Sequence, residues 1–396
     1  MSDAARPLRA VETSTIDERA RVVPVPLAEH AKRWALAEEA RWAVPRSPVR
    51  FERVFIAAND GGTGGGETML LRMAAAMQGL GVDVTVVVPA RSALLTAAVA
   101  QRLSVIGLPA RNRFAWMWAL RRWDRLRPDG LLWCNGVLPA LATVRRPGRL
   151  VHLHHTPNVI HRILLMLVRG GAVATLVPSR AMQATVPDAL VLPNWTDRLR
   201  RAKPDPDPDG RIRIGFTGRL GLDKGVDVLA DAVALLEERM PGRFRLVLAG
   251  EPLSVREEEL EVMELALGPV ARLTHRAGWV DSADFFDTID LLVVPSLVAE
   301  SFGLVAADAM AARVPLIVSD AGALPEVVGG AAQIVPAGDA EALADRIAAL
   351  ASGDIPAHRG PLFERWFAEF SPAAGTARIR QLVDTLGVRR GAQLHA

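Results

Sequence analysis

The chain has 396 residues, half of them hydrophobic, with 32 glycines, 27 prolines and a single cysteine, Cys134. That composition excludes a fibrous or largely disordered chain and an intramolecular disulfide framework, and the length exceeds what one hydrophobic core usually serves, so two domains are expected. The formal net charge of +3 is unevenly spread: residues 1–200 carry 27 Lys and Arg against 15 Asp and Glu, net +12, whereas residues 201–396 carry 20 against 29, net −9.

A basic first half suits an acidic acceptor or the anionic face of a membrane, and equally an Arg-rich surface without a partner. No apolar run reaches the roughly 20 residues of a membrane span. The first residues lack the apolar centre of a signal peptide. A cytoplasmic protein is expected, with peripheral contact at the inner membrane face as the variant that the basic half allows. Only Lys32, Lys203 and Lys224 are lysines. Where arginine is the default base, a lysine suggests a specific point-charge role.

Residues 1–49 read as a polar, Arg-rich extension with one helical segment at 27–42. Its modest stripe of Leu27, Ala31, Trp34, Ala35 and Leu36 fits either a docking helix or a loosely packed extension. A first α/β domain is expected over 50–200. The apolar run 53–59 predicts a buried parallel strand, 60–68 a glycine-rich loop, 69–80 a helix and 83–88 a second strand, together a βαβ unit. The loop is spaced like a phosphate-binding P-loop, but Glu67 stands where the lysine belongs, so nucleotide hydrolysis is not indicated. Nor does it spell the dinucleotide fingerprint, and no acid ends the second strand to hold a ribose.

Alternation continues with a helix over 116–125, basic on one face, and a strand over 130–135. A strand over 149–157 ends in histidines, with His152 and His154 on one face and His155 at the mouth. No Cys or carboxylate accompanies them to complete a metal site. The strand 174–178 ends in Ser179-Arg180, and the next closes in Pro193-Asn194-Trp195-Thr196-Asp197. A Pro/Asp-alternating linker follows at 201–210.

The second domain is expected over 211–362. It opens with a strand at 211–217, the loop Gly218-Arg219-Leu220-Gly221-Leu222-Asp223-Lys224-Gly225 and a helix over 226–238. Arg219 and Lys224 thus flank a loop at the carboxyl end of a strand, the edge where open α/β sheets bind ligands. A strand at 244–249, an acidic helix over 255–267 and a strand and loop at 270–279 lead to Val280. The strand 290–295 then runs into Ser296 and on through Glu300-Ser301-Phe302-Gly303-Leu304 to a helix over 306–312. Strand, glycine turn and helix start present unpaired backbone N–H groups to a phosphate. Glu300 and Asp308, two acids beside such an anion site, need hydroxyl partners, which a sugar and a ribose supply. A strand at 314–319, the segment 320–328, a strand at 333–336 and helices over 339–351, 363–370 and 376–386 complete the chain.

These motifs resemble those of the retaining glycosyltransferases of family 4. That family has the GT-B fold, two facing doubly wound Rossmann-like domains with parallel sheets. Glu300 to Asp308 is similar to the family's Glu-x7-Glu signature, with Asp in second place, and the loop 218–225 matches its Gly-Arg-Leu-x3-Lys-Gly. Gly65-Gly66-Glu67 is similar to the glycine loop after the first strand. His155-Thr156 stands where the family often has His-Asp, and Ala321-Gly322-Ala323-Leu324-Pro325-Glu326 resembles Gly-Gly-x-Pro-Glu. The resemblance implies that Glu300 contacts the donor sugar and Asp308 the ribose. Arg219 and Lys224, with the Phe302, Gly303 and Leu304 amides, would hold the diphosphate, and Gly278, Trp279 and Val280 the nucleobase. Gly65 and Gly66 would lie in the cleft, and His155, or failing it His154, near the sugar.

The catalytic set expected on this basis is Glu300, Lys224, Arg219 and His155, with no metal and no cofactor. The donor would be a UDP-sugar or a GDP-sugar, and the acceptor a hydroxyl on a lipid-linked, polysaccharide or small-molecule glycoside. No nucleic-acid partner is expected. The final segment, 363–396, would cross back onto the first domain. The departures at Asp308, Thr156 and Trp195-Thr196 keep a catalytically impaired nucleotide-sugar-binding protein as an alternative, beside an epimerase or phosphorylase of the same fold.

Overall fold

The computed structural model describes residues 51–390, apart from 63, 157–158, 200–206, 254 and the side chains of 159–163. The helix expected at 27–42 and most of the expected linker lie outside the described residues. The first sheet starts from β1 (Val54–Ala58), whose five residues are all buried. A central parallel strand has both faces covered, so it shows a continuous apolar run instead of alternation. Around it come α1 (Gly65–Gly79), β2 (Val84–Pro89), α2 (Ala93–Ala100), β3 (Ser104–Leu108) and α3 (Arg113–Leu126). The domain continues with β4 (Leu131–Asn135), α4 (Val137–Ala142), β5 (Arg149–His152), α5 (Val159–Arg169), β6 (Ala174–Val177), α6 (Arg180–Thr185) and β7 (Leu190–Val191).

The second sheet is built from β8 (Ile212–Thr217), a 3-10 turn at Leu222–Lys224, α7 (Val226–Arg239), β9 (Phe244–Ala249), α8 (Glu257–Leu267) and β10 (Thr274–Gly278). Then follow α9 (Ser282–Asp287), β11 (Leu291–Val294), α10 (Leu304–Ala311), β12 (Leu316–Ser319), α11 (Leu324–Val328), β13 (Gln333–Val335) and α12 (Ala340–Ser352). Helices α13 (Arg359–Glu369) and α14 (Pro372–Thr385) end the fold.

The strand orders are β3-β2-β1-β4-β5-β6-β7 and β10-β9-β8-β11-β12-β13. Every pairing is parallel, as between Val54 and Val84, or Ile212 and Phe244. Each sheet reverses direction once, between β1 and β4 and between β8 and β11, and ligands of open α/β sheets bind outside the carboxyl ends of such strands.

Helices α1, α3, α10, α13 and α14 each begin a few residues earlier than their sequences suggest. The first starts at Gly65, four residues before the expected Met69, with Gly64 as its cap and the Thr68 N–H on the Gly64 carbonyl at 2.9 Å. Glycine is a poor helix former, which hid these residues, but the first turn needs no helical partner for its N–H groups. Likewise α10 starts at Leu304, after Gly303 in the left-handed region.

Helix α14 packs against α1, and Phe51 and the residues after it join this return: the Phe51 N–H donates to Gly387 O at 3.0 Å and its carbonyl accepts from Arg389 at 2.8 Å. Trp366 of α13 is 1% exposed, within the core formed by Leu362, Met310 and Phe302. Its Nε1 donates to the Thr196 hydroxyl at 2.9 Å, tying α13 to the residues that follow β7. Trp366→Ala should therefore cost about 3–5 kcal/mol, and Trp366→Phe, which keeps most of the burial, about 1–2 kcal/mol in urea unfolding. Equal losses for the two variants would show that the Thr196 bond, not the burial, carries the contact.

Candidate active site

The carboxyl ends of β8 and β11 meet at the reversal of the second sheet. Glu300 follows β11, and its Oε1 accepts from Lys224 Nζ at 2.6 Å and from the Ser296 hydroxyl at 2.7 Å. Oε2 has no partner among the described residues. The Ser296 carbonyl is in turn held by Ser319 Oγ at 2.7 Å. Lys224 closes the loop that begins at Gly218. Within that loop Arg219 pairs with Asp223, whose carbonyl accepts from Leu297 N–H at 3.0 Å. The two loops are thus one hydrogen-bonded unit.

Two glycines make this approach feasible. Gly225 has φ +71°, and a Cβ there would stand 2.0 Å from the Pro295 carbonyl oxygen. Gly322 has φ +61°, and a Cβ there would stand 2.4 Å from Glu300 N; the two residues form a parallel bridge, backed by Ala323 N–H on Glu300 O at 2.9 Å. Behind Glu300, Gly303 turns the chain into α10, so the N–H groups at its start face away from any helical carbonyl.

The other expected residues lie around this centre. The Gly278 carbonyl accepts from Gly250 at 2.6 Å at the ends of β10 and β9, followed by Trp279, 76% exposed, and the partly buried Val280. On the first domain, Gly65 comes so near Leu304 that a Cβ would lie 3.1 Å from its Cδ1, and the Thr156 hydroxyl reaches the Ala299 carbonyl at 3.5 Å. The end of β5 and the start of α1 therefore face the Glu300 loop. His155 is exposed, and His154 lies inward, its Nε2 2.7 Å from Asn135 Oδ1. Asn135 Nδ2 donates to the Gly66 carbonyl at 3.1 Å, which fixes the amide and leaves Oδ1 to accept from a protonated His154 Nε2. Burial, then the His155 charge, pushes His154 down to about 3, so its ring is neutral.

Asp308 sits at the domain junction. The Thr196 hydroxyl hydrogen-bonds it, and the Arg72 guanidinium, which itself donates to Trp195 O at 2.9 Å and Asp197 Oδ2 at 3.0 Å, lies nearby. Glu326, in the segment likened to Gly-Gly-x-Pro-Glu, accepts from the Arg180 N–H at 2.9 Å and from the Ala181 N–H at 3.1 Å, at the start of α6. Sequence reasoning passed over Ser296, Asp223, Arg72 and Asn135 as partners. Ser296, in the same loop as Glu300, Asp223, beside Lys224 in the loop 218–225, and Asn135, at a strand end, carried a positional signal; Arg72 carried none.

Two doubly wound parallel sheets, with basic loops at the reversal of the second, define a GT-B glycosyltransferase fold. Residues 63–199 match the family described as Glycosyltransferase Family 4, and residues 211–353 match Glycosyl transferases group 1. The phosphatidyl-myo-inositol mannosyltransferase of Mycobacterium leprae (strain TN) is 32% identical over 222 residues, 53% of this chain and 54% of that protein. The D-inositol 3-phosphate glycosyltransferase of Streptomyces scabiei (strain 87.22) is 30% identical over 293 residues, 62% of this chain and 66% of that protein. The chain thus spans between about half and two thirds of the length of these two relatives. HepE of Anabaena, crystallised with UDP and glucose, superposes with a TM-score of 0.72 at 18% identity, over 85% of this chain and 100% of that one. The chain belongs to glycosyltransferase family 4.

Burial pushes the Asp308 carboxyl up to about 7, against the pull of Arg72 and the Thr196 bond. In the unfolded chain the same group ionises from about pH 4. The folded state therefore holds the extra proton, and stability falls as pH rises from about 4 to about 7. Asp308→Asn should remove this loss, so its melting temperature should gain on the wild type between about pH 5 and about pH 7.5. A gap constant across that range would show that Asp308 ionises freely.

Proposed function

We propose that the protein is a retaining glycosyltransferase that moves a sugar from a nucleotide-diphosphate sugar to an acceptor hydroxyl without a divalent metal. The observation that carries this reading is the convergence of Arg219, Lys224, Glu300 and the start of α10 where the second sheet reverses. In the reaction the bond from the anomeric carbon to the diphosphate oxygen breaks as the acceptor oxygen bonds that carbon. The acceptor's proton passes to the departing phosphate on the same face, so no protein base is required.

Arg219, Lys224 and the amides of Phe302, Gly303 and Leu304 meet the negative charge that grows on the diphosphate, the kind of preorganised stabilisation that favours the transition state. Lys224 is shared: before donor binding it neutralises Glu300, and a diphosphate draws it away while sugar hydroxyls take its place on the carboxylate. Residues 211–362 contain no Asp-x-Asp metal motif. Asp308 holds the ribose, Gly278 to Val280 the base, and Gly65, Gly66 and His155 the sugar side of the cleft. The UDP and glucose of HepE and the mannosyltransferase name of one relative suggest a nucleotide-linked hexose, of which UDP- and GDP-sugars are the candidates.

Thermal shifts with UDP, GDP and ADP, beside UDP-glucose, UDP-GlcNAc and GDP-mannose, test the donor site without metal. Stabilisation of about 2.7 kcal/mol is expected at 100 times the dissociation constant of the right ligand. No shift with any nucleotide would overturn the reading. Lys224→Ala should lower turnover by about 10²-fold or more, and near-normal turnover would remove Lys224 from the diphosphate site.

The acceptor side of this reading includes a peripheral membrane contact. No described helix is long and apolar enough to cross a membrane. On α3, however, Phe114 and Trp118 are 84% and 66% exposed, one turn apart, and the Arg122 guanidinium lies 5.7 Å from the Trp118 ring. Arg113 and Arg125 are exposed on the same helix, while its one acid, Asp124, is buried and paired with Arg127 and Arg146. Aromatic and arginine side chains without exposed acid complement an anionic lipid surface. Sedimentation with phosphatidylglycerol vesicles should exceed that with phosphatidylcholine vesicles, and Phe114→Ala with Trp118→Ala should abolish the difference. Equal binding to both lipids would sink this contact.

A further inference from the structure

A cavity of about 330 Å³ opens in the first domain between the end of β5, the start of α1 and helices α4 and α5. It is divided by chemistry. One part is apolar, made by Leu138, Leu141, Leu153, Leu164 and Leu165. The other carries Asn135, His154 and Glu67 beside Gly66, the region that faces the Glu300 loop across the cleft. The polar groups are held by one another. Asn135 uses its amide on Gly66 O and its oxygen on His154 Nε2, which leaves His154 Nδ1 as a buried acceptor without a partner among the described residues. A buried nitrogen in that state costs stability unless a donor reaches it. Glu67 is held in the first turn of α1, and burial, then the Asp60 charge, pushes its carboxyl up. Glu67, the one acid in the lining, opposes a phosphate or carboxylate in this part of the cavity. The one arginine in its lining, Arg113, is exposed.

We propose that this cavity is the acceptor subsite and that it takes an alcohol with an apolar body, a lipid-like chain or ring system, whose hydroxyl end lies among His154, Asn135 and Gly66. This deepens the glycosyltransfer reading and rests on it. The leucines remove the body from water, the polar groups beside Gly66 stand at the hydroxyl end, and a compact, fully polar polyol would leave the leucine wall unused. Arg113, which immediately precedes the exposed Phe114, places the cavity mouth beside the face assigned to the lipid surface.

The probes are n-octyl and methyl β-D-glucoside, alike in their hydroxyls and different in apolar body, titrated below the micelle concentration by ligand-observed NMR. Each buried methylene strengthens binding roughly 4-fold, so even partial entry of the chain should make the octyl glucoside bind at least about 10-fold tighter. Leu138→Gln and Leu141→Gln each replace a partly buried residue of the leucine wall, with far-UV circular dichroism confirming that each variant stays folded. Each should cut the octyl preference at least about 3-fold. A wild-type ratio near one, or a ratio unchanged in both variants, overturns the proposal. The nucleotide shifts read the second domain independently. A preserved octyl preference without any nucleotide shift supports the cavity while sinking the donor reading, and nucleotide shifts without an octyl preference do the reverse.

Discussion

The contact on which the site depends is the bond between Lys224 and Glu300, whose residues lie 76 apart in sequence. It spans the seam where β8 and β11 lie side by side, and both partners are mostly buried. A half-desolvated ion pair gains little over water unless its remaining valences are satisfied. Here Ser296 supplies the second donor to Glu300, and Ser319 fixes Ser296 by its carbonyl. The geometry is therefore set by the sheet, not by the ligand. Asp223 plays a matching part, engaging Arg219 with its side chain and the next loop with its backbone.

A second set of contacts bears on the junction of the two domains. Arg72 binds Trp195 and Asp197, Thr196 stands between Trp366 and Asp308, and Glu326 reaches the start of α6. The Thr196 and Glu326 contacts join groups of the two domains more than 100 residues apart, so a side chain beside Asp308 also braces the domains. The cost of burying the Asp308 carboxyl is accepted in a place where its neighbours are an arginine and a hydroxyl.

Much of the fold was legible because its physics is local. Continuous apolar runs such as Val54–Ala58 and Leu291–Val294 mark strands covered on both faces, and glycines at strand ends mark turns. The paired parallel sheets follow from the regular alternation. Local pattern misled where two preferences competed, as at Gly65 and Gly66, which read as loop and open a helix. Arg219, Lys224 and Glu300 were identified through short motifs, since loops at strand ends carry their own spacing. The partners were not readable. Thr196 looked like a departure in a loop, and nothing near it in the chain indicates Trp366 or Asp308. Glu326 sits in the segment likened to Gly-Gly-x-Pro-Glu, and nothing in that segment indicates that its carboxylate bonds two amides 145 and 146 residues away. Contacts of that range depend on how the two domains meet, a property no window of sequence contains.

The Glu326 contact has a thermodynamic meaning of its own. Ser179 caps the Met182 N–H at 3.1 Å, and Glu326 satisfies the Arg180 and Ala181 amides, so a six-residue helix of the first domain receives part of its cap from the second. A helix cap is worth about 1 kcal/mol. Any separation of the domains at this point hands those amides to water, and the helix start becomes a gauge of interdomain distance. Amide hydrogen exchange at Arg180 and Ala181 would report cleft opening directly, with no probe attached to the site itself.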